Sequence, residues 1–187
     1  MIQLTHAKLV PQLVTKRLML RGLTKTDIPF IFQHFSKTEI NEYSSDENVT
    51  SMEEAKELYE KYIVPTPNHF RLGIVLKAGG ELVGTLGLYG IDYVNKKAVV
   101  GVDLMRQCWG KGLMTEALLE LMNYGFNELN LNRIEASADP DNVRSIRLMQ
   151  RCGFTKEGVI RQRFYYKNAF HDDEIYSVLK DEWKDRL

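Results

Sequence analysis

The sequence predicts an α/β chain of the α+β kind, in which a central mixed, mostly antiparallel sheet is flanked by helices. Three observations carry that prediction. Residues 70 to 105 read as strands separated by short turns, which is an antiparallel meander. The stretch "RQCWGKGLMTEALLELMNYGF", residues 106 to 126, then turns through glycines into an amphipathic helix with a further strand behind it. The last third supplies one more helix, ended by Gly153, and two closing strands.

In chain order, residues 15 to 23 form a short strand, and Thr24 or Thr26 caps a helix with Pro29 in its first turn. Ile28, Ile31, Phe32 and Phe35 fall on one face of that helix. A polar, acidic loop follows, and Ser51 with Glu54 makes a capping-box pattern before Ala55, Leu58, Tyr59, Tyr62 and Ile63. Two strands meet at Gly79 and Gly80, and "KKAVVGVDLM" is the next strand. In the third helix Met114, Ala117, Leu118, Leu121 and Met122 share a face. "RIEASAD" is a strand, "NVRSIRLMQRC" a helix, and "EGVIRQRFYY" and "DEIYSVLKDEW" are the closing strands. No repeat, linker or low-complexity segment divides residues 1–187, so a single domain is expected.

Composition narrows the function. Lys plus Arg and Asp plus Glu both number 25, so no whole-molecule field draws the chain to nucleic acid or an acidic membrane. The opening residues lack a signal-peptide layout and no apolar run spans a bilayer, so a soluble, cytoplasmic protein without membrane partners is expected. Cys108 and Cys152 form neither a disulfide framework nor a zinc spacing, so no metal is expected. Cys108 has no histidine near it in sequence and is not read as a nucleophile.

The glycine stretch carries the strongest chemical signal. A strand, a glycine turn and a helix start aim unpaired N–H groups and the positive end of the helix dipole at one point, which makes an anion site. A simple tight turn is the alternative. Neither GxxxxGK[ST] nor GxGxxG is satisfied, so the common nucleotide loops are excluded.

Three blocks, "VGVDLMRQCWGKGLMTEAL", "LNRIEASADPDNVRSIRLMQRCGFTKEGV" and "NAFHDDEIYSVLKDEW", resemble the GNAT superfamily of acetyl-coenzyme A dependent N-acetyltransferases, and most closely its ribosomal-protein N-terminal branch. The resemblance implies the GNAT fold and acetyl-coenzyme A as acetyl donor. The family's [QR]xxGx[GA] loop falls on Trp109, Gly112 and Met114, or in a second register on Gln107, Gly110 and Gly112; the first leaves the helix uninterrupted. It implies that backbone groups across Trp109, Gly110, Lys111, Gly112, Leu113, Met114 and Thr115 hold the pyrophosphate. An N–H near Leu104 or Met105 would face the thioester oxygen, as an oxyanion donor.

Asn142 and Ser145 match the second signature. The family often has a tyrosine seven residues after that asparagine, where this chain has Met149, which cannot donate a proton. Ser145 is then the implied acid, unless it merely caps the helix as Asn142 also does. The implied reaction is direct attack of a neutral amine, with Asp103 first and Glu157 second as base candidates. His171 and Asp172, before the last strand, and Glu42 and Asp46, in the acidic loop, would line the acceptor side. Arg144, Arg147 and Arg151 form a stripe that meets either a coenzyme phosphate or water. The expected acceptor is a protein N-terminus, with a polyamine or aminoglycoside as the alternative and a non-catalytic acyl-coenzyme A binding protein as a further one; the expected assembly is a monomer or homodimer.

Overall fold

The computed structural model describes residues 10–44 and 46–184. Its centre is an eight-stranded sheet: β1 (Leu13–Val14), β2 (Leu18–Gly22), β3 (Phe70–Leu76), β4 (Leu82–Asp92), β5 (Lys97–Leu104), β6 (Arg133–Ala138), β7 (Thr155–Tyr166) and β8 (Ala169–Leu179). The spatial order is β1-β2-β3-β4-β5-β6-β8-β7, and every neighbouring pair is antiparallel except β5 with β6. The mixed, mostly antiparallel sheet is thus present.

The single parallel junction positions the site. β5 and β6 pair only through Lys97–Val99 against Arg133–Glu135. Beyond that register β5 runs on to Leu104 and β6 to Ala138 without bonding each other, so the two strands part and leave a cleft. The required crossover is made by α3 (Leu113–Asn127), whose expected face is buried in full: Met114, Ala117, Leu118, Leu121 and Met122 are each 9% exposed or less. At roughly 1.5–3 kcal/mol for each large apolar side chain, that face fixes the helix on the sheet. Gly125 allows the closest approach, since an added Cβ would meet Ile134 Cδ1 at 3.0 Å.

The remaining helices are α1 (Ile28–Phe35), α2 (Met52–Leu58), α4 (Val143–Arg151) and α5 (Lys180–Lys184). Thr24 opens the first of these: its N–H donates to Asp27 and the chain enters through a 3-10 turn, Lys25–Asp27. In α2 the Ser51 hydroxyl accepts from the Glu54 N–H, but the Glu54 carboxylate reaches the N–H of Thr50 instead of closing a box on Ser51. A π-turn, Tyr59–Ile63, follows and changes the helical register, so Tyr59 and Ile63 point inward while Tyr62, expected on the buried face, is 50% exposed.

Two further expectations are corrected. The first strand spans Leu18–Gly22, with a two-residue partner at Leu13–Val14 that the pattern did not give. The last hairpin is longer than expected at its turn and shorter at its end. Lys167 and Asn168 take positive φ of 50° and 61°, a two-residue turn that lets β8 begin at Ala169. His171 and Asp172 therefore sit in a strand, and "KDEW" belongs to α5. Among the described residues no helix is long and apolar enough to cross a membrane.

Candidate active site

The glycine turn is built by two left-handed residues. Gly110 and Gly112 have φ of 73° and 71°, a region that other L-residues enter at a cost, and α3 begins at Leu113 immediately after Gly112. Cys108 N–H and Trp109 N–H close on Met105 and Arg106, and Glu116 N–H closes on Gly112. Between them the amides of Gly110, Lys111, Gly112, Leu113, Met114 and Thr115 donate to no acceptor among the described residues. Six free donors at the start of a 15-residue helix fit a pyrophosphate. Met114 is 9% exposed and packs into the core, so its bulk lies away from those amides.

The turn is braced from outside. Arg17 donates to the Lys111 carbonyl at 2.8 Å and pairs with Glu116 at 2.6 Å, while Thr15 also donates to Glu116 at 2.6 Å. Trp109 is fixed from inside, its indole N–H donating to the Leu104 carbonyl at 2.6 Å. At the end of β5, Met105 N–H donates to Val83 on β4 at 2.8 Å. Successive amides of a strand point to opposite sides, so the Leu104 N–H faces the cleft. Of the two oxyanion candidates, Leu104 has the suitable direction and Met105 is engaged.

Across the cleft, Asn142 caps α4 by accepting from the Ser145 N–H at 3.1 Å. That contact uses the Ser145 backbone and leaves its hydroxyl without a partner among the described residues. Met149 is 3% exposed and belongs to the core.

The two base candidates fare differently from their sequence reading. Asp103 is not a solvated carboxylate: it faces α1, β3 and β4, where His34 Nε2 lies 2.6 Å away, Arg71 donates to it, and Thr85 contributes its N–H at 3.1 Å and hydroxyl at 2.6 Å. Burial pushes its carboxyl up, but the Arg71 charge and the His34 and Thr85 hydrogen bonds outweigh that and hold it well below the usual carboxylate range. A carboxylate so engaged is a poor proton acceptor. Glu157 bonds Arg133 at 2.7 Å and the Ser177 hydroxyl, at the β6 end where Arg133 pairs with Lys97. Register therefore sets it away from the cleft, and Arg133 and Ser177 lower its pKa as well.

The acceptor-side residues converge in part. A cavity of about 140 Å³ lies at the end of β6, lined by Asp139, Asp172, Asp173, Tyr43, Phe164 and Tyr166 among others. His171 flanks it, with Nδ1 3.0 Å from Asp139 and its ring stacked on Tyr166 at 3.7 Å. Glu42 and Asp46 do not line it, although their neighbours Tyr43 and Ser44 do. Glu42 instead pairs with Arg144 at 3.1 Å, and Asp46 accepts from Ser44 at 3.0 Å. Burial raises the Asp139 pKa less than the bonds from Tyr166, Asp141 N–H and His171 lower it, whereas burial dominates at Asp173 and raises it despite Ser137 and Arg163. Sequence reading missed Asp139 and Asp173 because their partners stand 10 to 32 residues away. The triplet of acids beside aromatic residues in "FYYKNAFHDDE" is the one local signal that points there.

Comparison with known proteins agrees with this geometry. A family model described as an acetyltransferase (GNAT) domain matches residues 17–155. The chain is 36% identical over 173 residues to p20, an uncharacterised N-acetyltransferase of Bacillus licheniformis, covering 91% of this chain and 97% of the relative. Bacillus subtilis YdaF, provisionally named a ribosomal N-acetyltransferase, is 39% identical over 105 residues, 56% of this chain and 57% of its own. The crystal structure of spermidine N-acetyltransferase from Vibrio cholerae in complex with CoA and spermine superposes with a TM-score of 0.82 at 25% identity, covering 91% of this chain and 99% of that one. With the cleft, the free amides and a family model spanning most of its length, the chain belongs to the GNAT family and is an acetyl-coenzyme A dependent N-acetyltransferase.

Proposed function

We propose that the acceptor is a small polycationic amine of the polyamine class. The observation that carries this is the acidic, aromatic cavity at the end of β6. Asp139 and Asp172 supply negative charge beside Asp173, which is paired with Arg163 at 2.9 Å, and Tyr43, Phe164 and Tyr166 supply ring faces that suit ammonium groups. A volume of about 140 Å³ admits an alkylammonium arm more readily than a folded peptide terminus. The similarity to a spermidine acetyltransferase supports the same class. This moves the emphasis from the protein N-terminus expected from sequence to the small-amine alternative. The similarity to YdaF over 105 residues keeps the α-amine of a protein as the second reading.

Bound acetyl-coenzyme A supplies the acetyl group as a thioester. The protein's part is to hold and orient. The free amides from Gly110 to Thr115 and the Asn142 end of α4 grip the coenzyme, the Leu104 N–H faces the cleft as donor to a developing oxyanion, and the Ser145 hydroxyl stands ready to return a proton to the thiolate.

The test is intact-mass detection of acetylation with acetyl-coenzyme A and three sets of acceptors: spermidine and spermine, aminoglycosides, and ribosomal-protein N-terminal peptides. Modification of the polyamines alone supports the proposal. Modification of peptide α-amines alone transfers it to the second reading, and coenzyme binding with no turnover on any acceptor would return the non-catalytic alternative.

A further inference from the structure

We propose that Arg144 is a positioning residue whose guanidinium exchanges Glu42 for a coenzyme phosphate, and so couples coenzyme binding to opening of the acceptor cavity. This rests on the coenzyme site proposed above.

Arg144 lies in the first turn of α4, two residues after the cap Asn142. Its guanidinium carbon stands 4.1 Å from the centroid of the Trp109 ring. That ring is fixed by its bond to the Leu104 carbonyl, so the stack holds a positive charge over the turn whose amides are free. The guanidinium's anionic partner is Glu42, through one contact of 3.1 Å between side chains that are 54% and 42% exposed. A single-contact pair this open is held weakly. Phosphate oxygens accept two parallel bonds from one guanidinium, and an anion seated at the glycine turn would stand beside Arg144 with the advantage in geometry and charge.

Release of Glu42 acts on the cavity wall. Tyr43 and Ser44, the next two residues, line the cavity from the acceptor loop. Asn41, next to Glu42, still anchors the loop through the Phe35 carbonyl and the Asn48 side chain, both at 3.1 Å. Release therefore loosens the stretch beyond it, which then keeps the Lys167 ammonium on the Glu42 carbonyl at 2.6 Å. One arginine thus joins the coenzyme turn, α4 and the acceptor loop. No covalent bond changes; a guanidinium changes anions.

The experiment is hydrogen exchange by mass spectrometry on the 36–50 segment, with and without coenzyme A, alongside calorimetric titration of coenzyme A. In the wild type, coenzyme should speed exchange in that segment roughly threefold or more as local openings become easier. Arg144→Gln should exchange quickly already, show no further response, and bind coenzyme about 3–10-fold more weakly. Glu42→Gln should also exchange quickly, with coenzyme affinity equal to or tighter than wild type. An unresponsive wild-type loop, or a wild-type response in Arg144→Gln, overturns the coupling while leaving the coenzyme site standing. Undiminished coenzyme binding in Gly112→Val would overturn the site reading itself, and the coupling with it.

Discussion

Asp103 and a trio of carboxylates lie on either side of the cleft, and they face different surroundings. Asp103, near the end of β5, is enclosed by Arg71, His34 and Thr85. Asp139, Asp172 and Asp173, at the end of β6 and in β8, line an open cavity. Both are bonded within the protein, Asp139 by Tyr166, His171 and the Asp141 N–H and Asp173 by Arg163, but only the second group borders a cavity, where one oxygen of Asp172 has no partner among the described residues. Proximity to the reaction cleft is therefore a poor guide to a carboxylate's role. What decides is whether it borders open space or is enclosed by its partners.

The largest expected effect tests the closed group. Asp103→Ala leaves Arg71 buried without its counter-ion and should cost about 3–5 kcal/mol of stability, read as a large fall in melting temperature. A folded, equally stable variant with lost turnover would instead revive Asp103 as the base. Acid adds a second reading. Because the folded pKa of Asp103 is depressed, its contribution is fully present above the unfolded value of about 3.9 and is lost as pH falls through the folded value. The stability gap between wild type and Asp103→Asn should hold at neutral pH and narrow only below about pH 4, in melts run from pH 6 downward.

Ser145→Ala comes next. If its hydroxyl returns the proton, kcat should fall about 100-fold with little change in coenzyme affinity. If it serves only the helix start, kcat should hold, because the cap is made by Asn142 with the Ser145 N–H, which alanine retains. Gly112→Val has a smaller expected cost. A φ of 71° strains a β-branched residue by about 1–3 kcal/mol, which should weaken coenzyme A binding by roughly 5–100-fold in calorimetry.

The mildest change sharpens the open side. Asp172→Asn removes one of the cavity carboxylates and should raise KM for a polyamine about 3–10-fold, an effect that shrinks with added salt. Coenzyme affinity should not move. An equal loss for charged and uncharged amines would show that the cavity recognises shape instead of charge.

Legibility followed the range of the interactions. The glycine turn and α3 were readable because positive φ, a helix start and a 3.6-residue stripe are written within some twenty consecutive residues. The β7–β8 turn was not, since Lys167 and Asn168 are a weak turn pair and their positive φ is imposed by the hairpin. His34 was passed over because an apolar count ignores a histidine, yet it is 1% exposed and bonded to a residue 69 positions away. Met114 and Met149 looked like departures at the site, but both side chains turn into the core.

The sequence by itself determined the order of the main strands and helices, the glycine turn that opens α3 and the GNAT family, because each rests on short-range pattern. Only the tertiary structure decided that Asp103 is engaged, that Glu157 lies at the far end of β6, and that Asp139, Asp172 and Asp173 share a cavity. The reason is physical: a carboxylate's availability depends on desolvation and on partners brought from other strands, and neither is recorded in its neighbours along the chain.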